Sequence, residues 1–132
     1  MSESAENRIP PFVFVADRER AIADALAAAL NENGYEAVAF STGEQLVEAA
    51  GVLKPAFVIA ALLMEGMTGA EAAIRICQSI PECRVVLCIE QKPADESLRR
   101  IAEENRFVLL STPVQPGALL ECLDGMTGSA AA

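Results

Sequence analysis

Between residues 11 and 126 the chain alternates short apolar runs with stretches in which apolar side chains recur every three to four positions. The runs have strand length, and the stretches have the period of a helix with one buried face. The first run, Phe12 to Ala16, leads through Asp17, a good helix N-cap, into Ile22, Ala25, Leu26, Ala29 and Leu30, which share a helical face. Gly34 is placed to end that helix. Tyr35 to Phe40 alternates as a half-buried strand, and Thr42 and Gln45 have capping-box spacing ahead of a short helix with Leu46, Val47 and Ala50. Lys54 and Pro55 close it. Ala56 to Leu62 is apolar without a break, the pattern of a central parallel strand covered on both faces.

The second half repeats the alternation. A loop from Leu63 to Thr68 precedes a helix with Ala70, Ala73, Ile74 and Cys77 on its inner face, and Pro81 marks its exit. Val85 to Ile89 is a fourth strand. Pro93 and Asp95 introduce a fourth helix with Leu98, Ile101 and Ala102 inward, Phe107 to Ser111 is a fifth strand, and Pro116 suits the first turn of a last helix carrying Leu119, Leu120 and Leu123. Residues 1–10 and 127–132 are small and polar, and are expected to be flexible tails on one domain spanning 11–126. Five strand–helix units joined by right-handed crossovers predict an α/β fold with a doubly wound, five-stranded parallel sheet in the flavodoxin-like order 2-1-3-4-5. Sites in such sheets lie beyond the carboxyl ends of the strands. The positions to test are therefore Ala16, Asp17, Ala61 to Met64, Ile89, Glu90 and Ser111 to Pro113.

Composition narrows the chemistry. With 52% hydrophobic residues in 132, a single core forms without staples. Nineteen acidic against ten basic side chains, a net charge of −9, would repel a phosphate backbone, so nucleic acid is not an expected partner. Without histidine there is no imidazole triad, no His-ligated zinc and no ordinary proton shuttle near neutral pH. Cys77, Cys83, Cys88 and Cys122 match neither a redox C-x-x-C pair nor a zinc-ribbon spacing, and are expected to be buried free thiols of a reducing compartment. Phe12 to Val15 is cut short by charges, so no signal peptide is read, and no run is long enough to cross a bilayer. A cytoplasmic location is expected. Phosphate-cradling glycine motifs and a G-x-S-x-G elbow are missing, the loop after the first strand is too charged and bulky to wrap a flavin phosphate, and no cofactor or catalytic residue is expected.

The order of elements, with V-A-D-R at the first strand end, F-V-I-A-A-L-L-M-E-G-M-T-G around the third strand and S-T-P-V after the fifth, resembles the receiver domain of bacterial two-component response regulators. The M-x-x-M-x-G frame, here Met64, Met67 and Gly69, is its most specific piece. The resemblance implies two acids at the first strand end holding magnesium, an aspartate ending strand three that accepts a phosphoryl group, a hydroxyl ending strand four, and a lysine before a cis-proline after strand five.

This chain departs at nearly every one of those positions. Ala16 replaces the first acid, leaving Asp17; Ala61 stands at the acceptor position; Ile89 replaces the hydroxyl and Thr112 the lysine. Leu109 falls where many receivers carry an aromatic, and Glu65 and Thr68 replace a proline and an aspartate of the loop. Asp17 alone is expected to bind magnesium weakly or not at all, and to serve as the helix cap. Glu90 is expected to be an exposed loop carboxylate. Ser41, Thr42, Ser111 and Thr112 lack a base or cationic clamp that would make them acceptors.

Two outcomes are open for the altered pocket. It is either filled as core, or it presents Leu62, Leu63, Met64 and Met67 to a partner. The resemblance then implies a pseudo-receiver: a non-enzymatic module of a phosphorelay or related pathway, not phosphorylated, that acts by contact with a kinase or effector. With no output segment read beyond residue 126, output is expected to come from association. The fourth helix, fifth strand and fifth helix, with Arg99, Arg100 and Arg106, form the implied partner face, which could also pair two copies across a two-fold axis. The alternative is a ligand-sensing pseudo-receiver with an apolar small-molecule pocket near Ala61 and Ile89.

Overall fold

The computed structural model describes residues 11–90 and 96–131, with side chains as far as Met126. The expected tail at 1–10, residue 132 and the helix start at Pro93 and Asp95 lie outside the described residues. Five strands and five helices alternate: β1 Phe12–Ala16, α1 Arg20–Asn31, β2 Glu36–Phe40, α2 Gly43–Leu53, β3 Phe57–Ala61, α3 Gly69–Ser79, β4 Arg84–Ile89, α4 Glu96–Asn105, β5 Val108–Ser111 and α5 Pro116–Ala131. The strands form one sheet in the order β2-β1-β3-β4-β5, parallel at every pairing. This is the predicted doubly wound order.

Strand periodicity divides the core in two. Phe14 and Ala16, Val58 and Ala60, and Val85 and Leu87 point to one face, where α2, α3 and α4 supply Leu46, Ala73, Ile76, Leu98 and Ala102. Val13 and Val15, Phe57 and Ile59, and Val86 and Cys88 point to the other, where α1 and α5 supply Leu26, Leu30, Leu119 and Leu123. Covered on both sides, β1, β3 and β4 need no polar alternation, which is why their sequences read as unbroken apolar runs.

Local signals act largely as expected. Thr42 caps α2, its Oγ1 accepting from the Gln45 N–H at 3.1 Å, while the Gln45 side chain accepts from the Ser41 N–H, one residue before the cap. Gly34 takes φ +95° beyond α1, and the Tyr35 N–H returns to the Leu30 carbonyl. Lys54 and Arg106 take the same left-handed conformation after α2 and α4.

Two expectations are corrected. The buried face of α1 is Ala23, Leu26, Ala27 and Leu30, with Ile22 and Ala25 exposed; a helix rich in alanine offers apolar residues all round, so its period does not choose a face. In α3, Ala72 and Ile76 are buried and Ile74 and Cys77 only half-buried. The helical backbone of α5 runs on through 127–131, into the segment read as a tail.

Candidate functional site

The carboxyl ends of β1, β3, β4 and β5 form one edge, and pairing aligns the singled-out positions along it. Ala16 lies between Phe40 and Ala60, Ala61 faces Cys88, and Ile89 faces Ser111. Backbone bonds continue past the strands: Asp17 N–H to Phe40, Leu62 N–H to Cys88, and Thr112 N–H to Ile89 at 2.7 Å. The Thr112–Pro113 bond is cis. Ala16, Asp17, Ala61, Ile89 and Thr112 are thus brought together, as the sequence reading requires.

Asp17 does not cap the helix. Glu19 occupies the N-cap position of α1 without a side-chain cap bond, and Asp17 Oδ1 accepts the Glu19 N–H at 2.9 Å. That bond to the residue two places on shapes the turn out of β1. Beneath the edge, burial, then the negative charge of Asp17, then Cys122 push the Cys88 thiol up to about 12.

The loop from Leu62 to Thr68 turns inward. Met64 and Met67 are 9% and 8% exposed and share one cluster with Ala16 and Ala60, against which Ala61, Leu62 and Ile89 pack. Of the two open outcomes for this loop, the candidate partner surface of Leu62, Leu63, Met64 and Met67 is therefore reduced: Met64 and Met67 are buried, Leu62 is half-buried, and Leu63 is exposed at 52%. Flexible thioethers fill irregular space well, so Met64 and Met67 act as packing where their loop position suggested display.

Two residues hold the loop. Gly69 donates its N–H to the Leu62 carbonyl at 2.9 Å, and a Cβ built there would overlap the Ala61 carbonyl oxygen, so only glycine lets α3 begin against the end of β3. Thr68 caps α3, its Oγ1 accepting the Glu71 N–H at 3.1 Å. Thr68→Ala is expected to lower stability by about 1 kcal/mol, seen as a lower urea midpoint with unchanged slope. At the loop's other side, Gly66 takes φ +76° beneath the Glu44 carboxylate.

Chemically the edge offers little to a metal. Magnesium takes several oxygen ligands, whereas Ala16 and Ala61 present methyl groups beside Asp17. Among the described residues no three His, Cys, Asp or Glu side chains gather into a metal-binding group. The donor set does not fit magnesium. Glu90 is exposed just beyond β4, and Ser41 and Thr42 are engaged around the start of α2.

Away from this edge, Arg99, Arg100 and Arg106 are exposed, and make no ion pair among the described residues. A groove of about 410 Å³ runs between α4 and β5, with Ala102, Phe107 and Leu109 along it and Arg99, Glu103 and Arg106 around it. Arg106 reaches this rim because its left-handed backbone turns the chain from α4 into β5. Among the described residues, no helix is long and apolar enough to cross a membrane.

The model of the response regulator receiver domain matches residues 13–124. No curated protein matches the sequence. Solved structures are similar in fold. A CheY-like receiver domain protein of Methanospirillum hungatei is 16% identical with a TM-score of 0.84, over 92% of this chain and 96% of that one. The chemotaxis protein CheY4 of Vibrio cholerae is 18% identical at 0.78, over 88% and 98%. A LuxR-family DNA-binding response regulator of Staphylococcus aureus is 19% identical at 0.76, over 87% and 97%.

Proposed function

Since the chain belongs to the response regulator receiver domain family, we propose that it is a pseudo-receiver, a signalling module that carries no phosphoryl group and works through protein contacts. Receiver domains are signalling modules that interact with kinases and effectors. The observation that carries the finer reading is Ala61: where the family has its acceptor carboxylate, this chain has a methyl group, packed against the core cluster that contains Met64 and Met67. A methyl group has no lone pair with which to attack phosphorus. Thr112 in place of lysine and Ala16 in place of an acid remove the cation and the metal site that would steady the new charge.

The proposed partner is a kinase or effector that meets α4, β5 and α5. The groove there combines an apolar floor with Arg99 and Arg106, suited to a partner surface with an acidic rim. A second copy of the chain, contributing Glu121 and Asp124 to those arginines, is the other candidate for the same face. The module is proposed to act in the cytoplasm, without cofactor or catalysis of its own.

Beryllofluoride with magnesium tests the reading. The amide NMR spectrum is expected to stay unchanged, and shifts around Asp17 and Thr112 would overturn it. Ala61→Asp, incubated with acetyl phosphate and magnesium, is expected to gain no phosphoryl group by mass, because the acid pair and the lysine are still missing.

A further inference from the structure

The connection from α3 to β4 carries two cysteines that the signalling reading leaves unused. Cys77 lies near the end of α3, and Cys83 immediately precedes β4. Pro81 and Glu82 reverse the chain between them. The Cys77 Sγ–H donates to the Cys83 carbonyl at 3.7 Å, and the Cys83 Sγ–H to the Arg84 carbonyl at 3.9 Å. The neighbouring Cys83 thiol holds the Cys77 thiol below its ordinary range against the effect of burial. The Cys77 thiol, with burial, pushes the Cys83 thiol up. Cys77 is half-buried and Cys83 7% exposed, so solvent reaches the first sulfur before the second.

The remaining thiols lie elsewhere in the fold. Cys88 is buried on the other face of the sheet and strongly raised, and Cys122, packed on that face, is raised by burial. The thiolate is the reactive form, so both are poor nucleophiles near neutral pH.

We propose that Cys77 and Cys83 are a modification site, a dithiol that a hydroperoxide converts to an intramolecular disulfide. Cys77 acts first. Its thiolate attacks the outer peroxide oxygen, the O–O bond breaks, and the departing hydroxide takes the proton released by Cys77, leaving a sulfenic acid and water. Cys83 then gives up its proton and attacks the Cys77 sulfur; the S–S bond forms, the S–O bond breaks, and hydroxide leaves with that proton as a second water. The two thiols lose two electrons and hydrogen peroxide gains them. The bond would tie the end of α3 to the start of β4, at the opposite end of the sheet from Ala61, and the proposal stands independently of the pseudo-receiver reading.

The test uses the full reduced chain, hydrogen peroxide, then denaturation and alkylation. Two of the four thiols are expected to escape alkylation, with the monomer lighter by two hydrogens. Trypsin should release the peptide from Ile76 to Arg84 with that loss, and cleavage after Glu82 should leave its two pieces joined. In Cys83→Ser, Cys77 is expected to stop at a sulfenic acid trapped by dimedone; in Cys77→Ser, Cys83 should keep its thiol. Four alkylatable thiols after peroxide, a disulfide-linked dimer, or an oxidised Cys77 beside a free Cys83 in the parent chain would each overturn the proposal. The parent chain's peptide map decides even where a variant fails to fold.

Discussion

The Ala16→Asp chain is expected to be less stable than its parent by about 3–5 kcal/mol at neutral pH, read from urea midpoints. Ala16 is 2% exposed and its methyl group belongs to the cluster of Ala60, Met64 and Met67. A carboxylate there would lose its water without gaining a cation, one residue from the charge of Asp17. Both burial and the neighbouring acid raise its folded pKa above the unfolded value of about 3.9. The proton is therefore held more tightly in the folded state, so the penalty is smallest below about pH 4 and grows as pH rises through the folded pKa. Urea titrations at pH 4 and pH 7 give the comparison. Equal stability of the two chains at pH 7, or recovery on adding magnesium, would mean that the pocket is wet and rebuildable, contrary to the packing of the two methionines.

Gly69→Ala is expected to cost about 3 kcal/mol, the upper end for an overpacked site. The new Cβ would overlap the Ala61 carbonyl oxygen and lie 3.3 Å from the Ala60 Cβ. Backbone cannot swing aside as a long side chain can, so either α3 retreats and its bond to Leu62 breaks, or the end of β3 bends. Gly43→Ala should cost less, since its nearest approaches, 3.0 Å to the Met67 Cβ and 3.2 Å to the Met67 carbonyl oxygen, are tight contacts and not an overlap. Gly51→Ala, with nothing within 4 Å in the last turn of α2, should instead stabilise by about 0.5 kcal/mol. A Gly69→Ala chain within measurement error of the parent would show that α3 is not pinned to the site edge.

The strands and their order were legible because a doubly covered strand has only one way to be written, as an apolar run, and because right-handed crossovers leave few arrangements of five such runs. The replaced positions were legible for a related reason. Strand ends in this order must meet along one edge, so Ala16, Ala61, Ile89 and Thr112 could be placed together from their counts along the chain. Helix faces were harder. In α1, alanines at 23, 25, 27, 28 and 29 surround the axis, and the sheet's choice of Ala23 and Ala27 over Ala25 rests on how the helix sits upon β1 and β2.

The loop after β3 and the two cysteines show the other limit. Leu62, Leu63, Met64 and Met67 read as equally greasy neighbours in a loop; folding turned two of them into core, with Met67 set against Gly43 at the start of α2, and left Leu63 in solvent. Cys77 and Cys83 match no motif, yet the turn at Pro81 sets them side by side. Strand identity and sheet order are properties of residue type and period along a line, whereas reading Ala61 as standing at the acceptor position needed the resemblance to receiver domains as well. Which apolar atoms are hidden, and which thiols meet, depends on distances between elements far apart in the chain, and those exist only once the layers have packed.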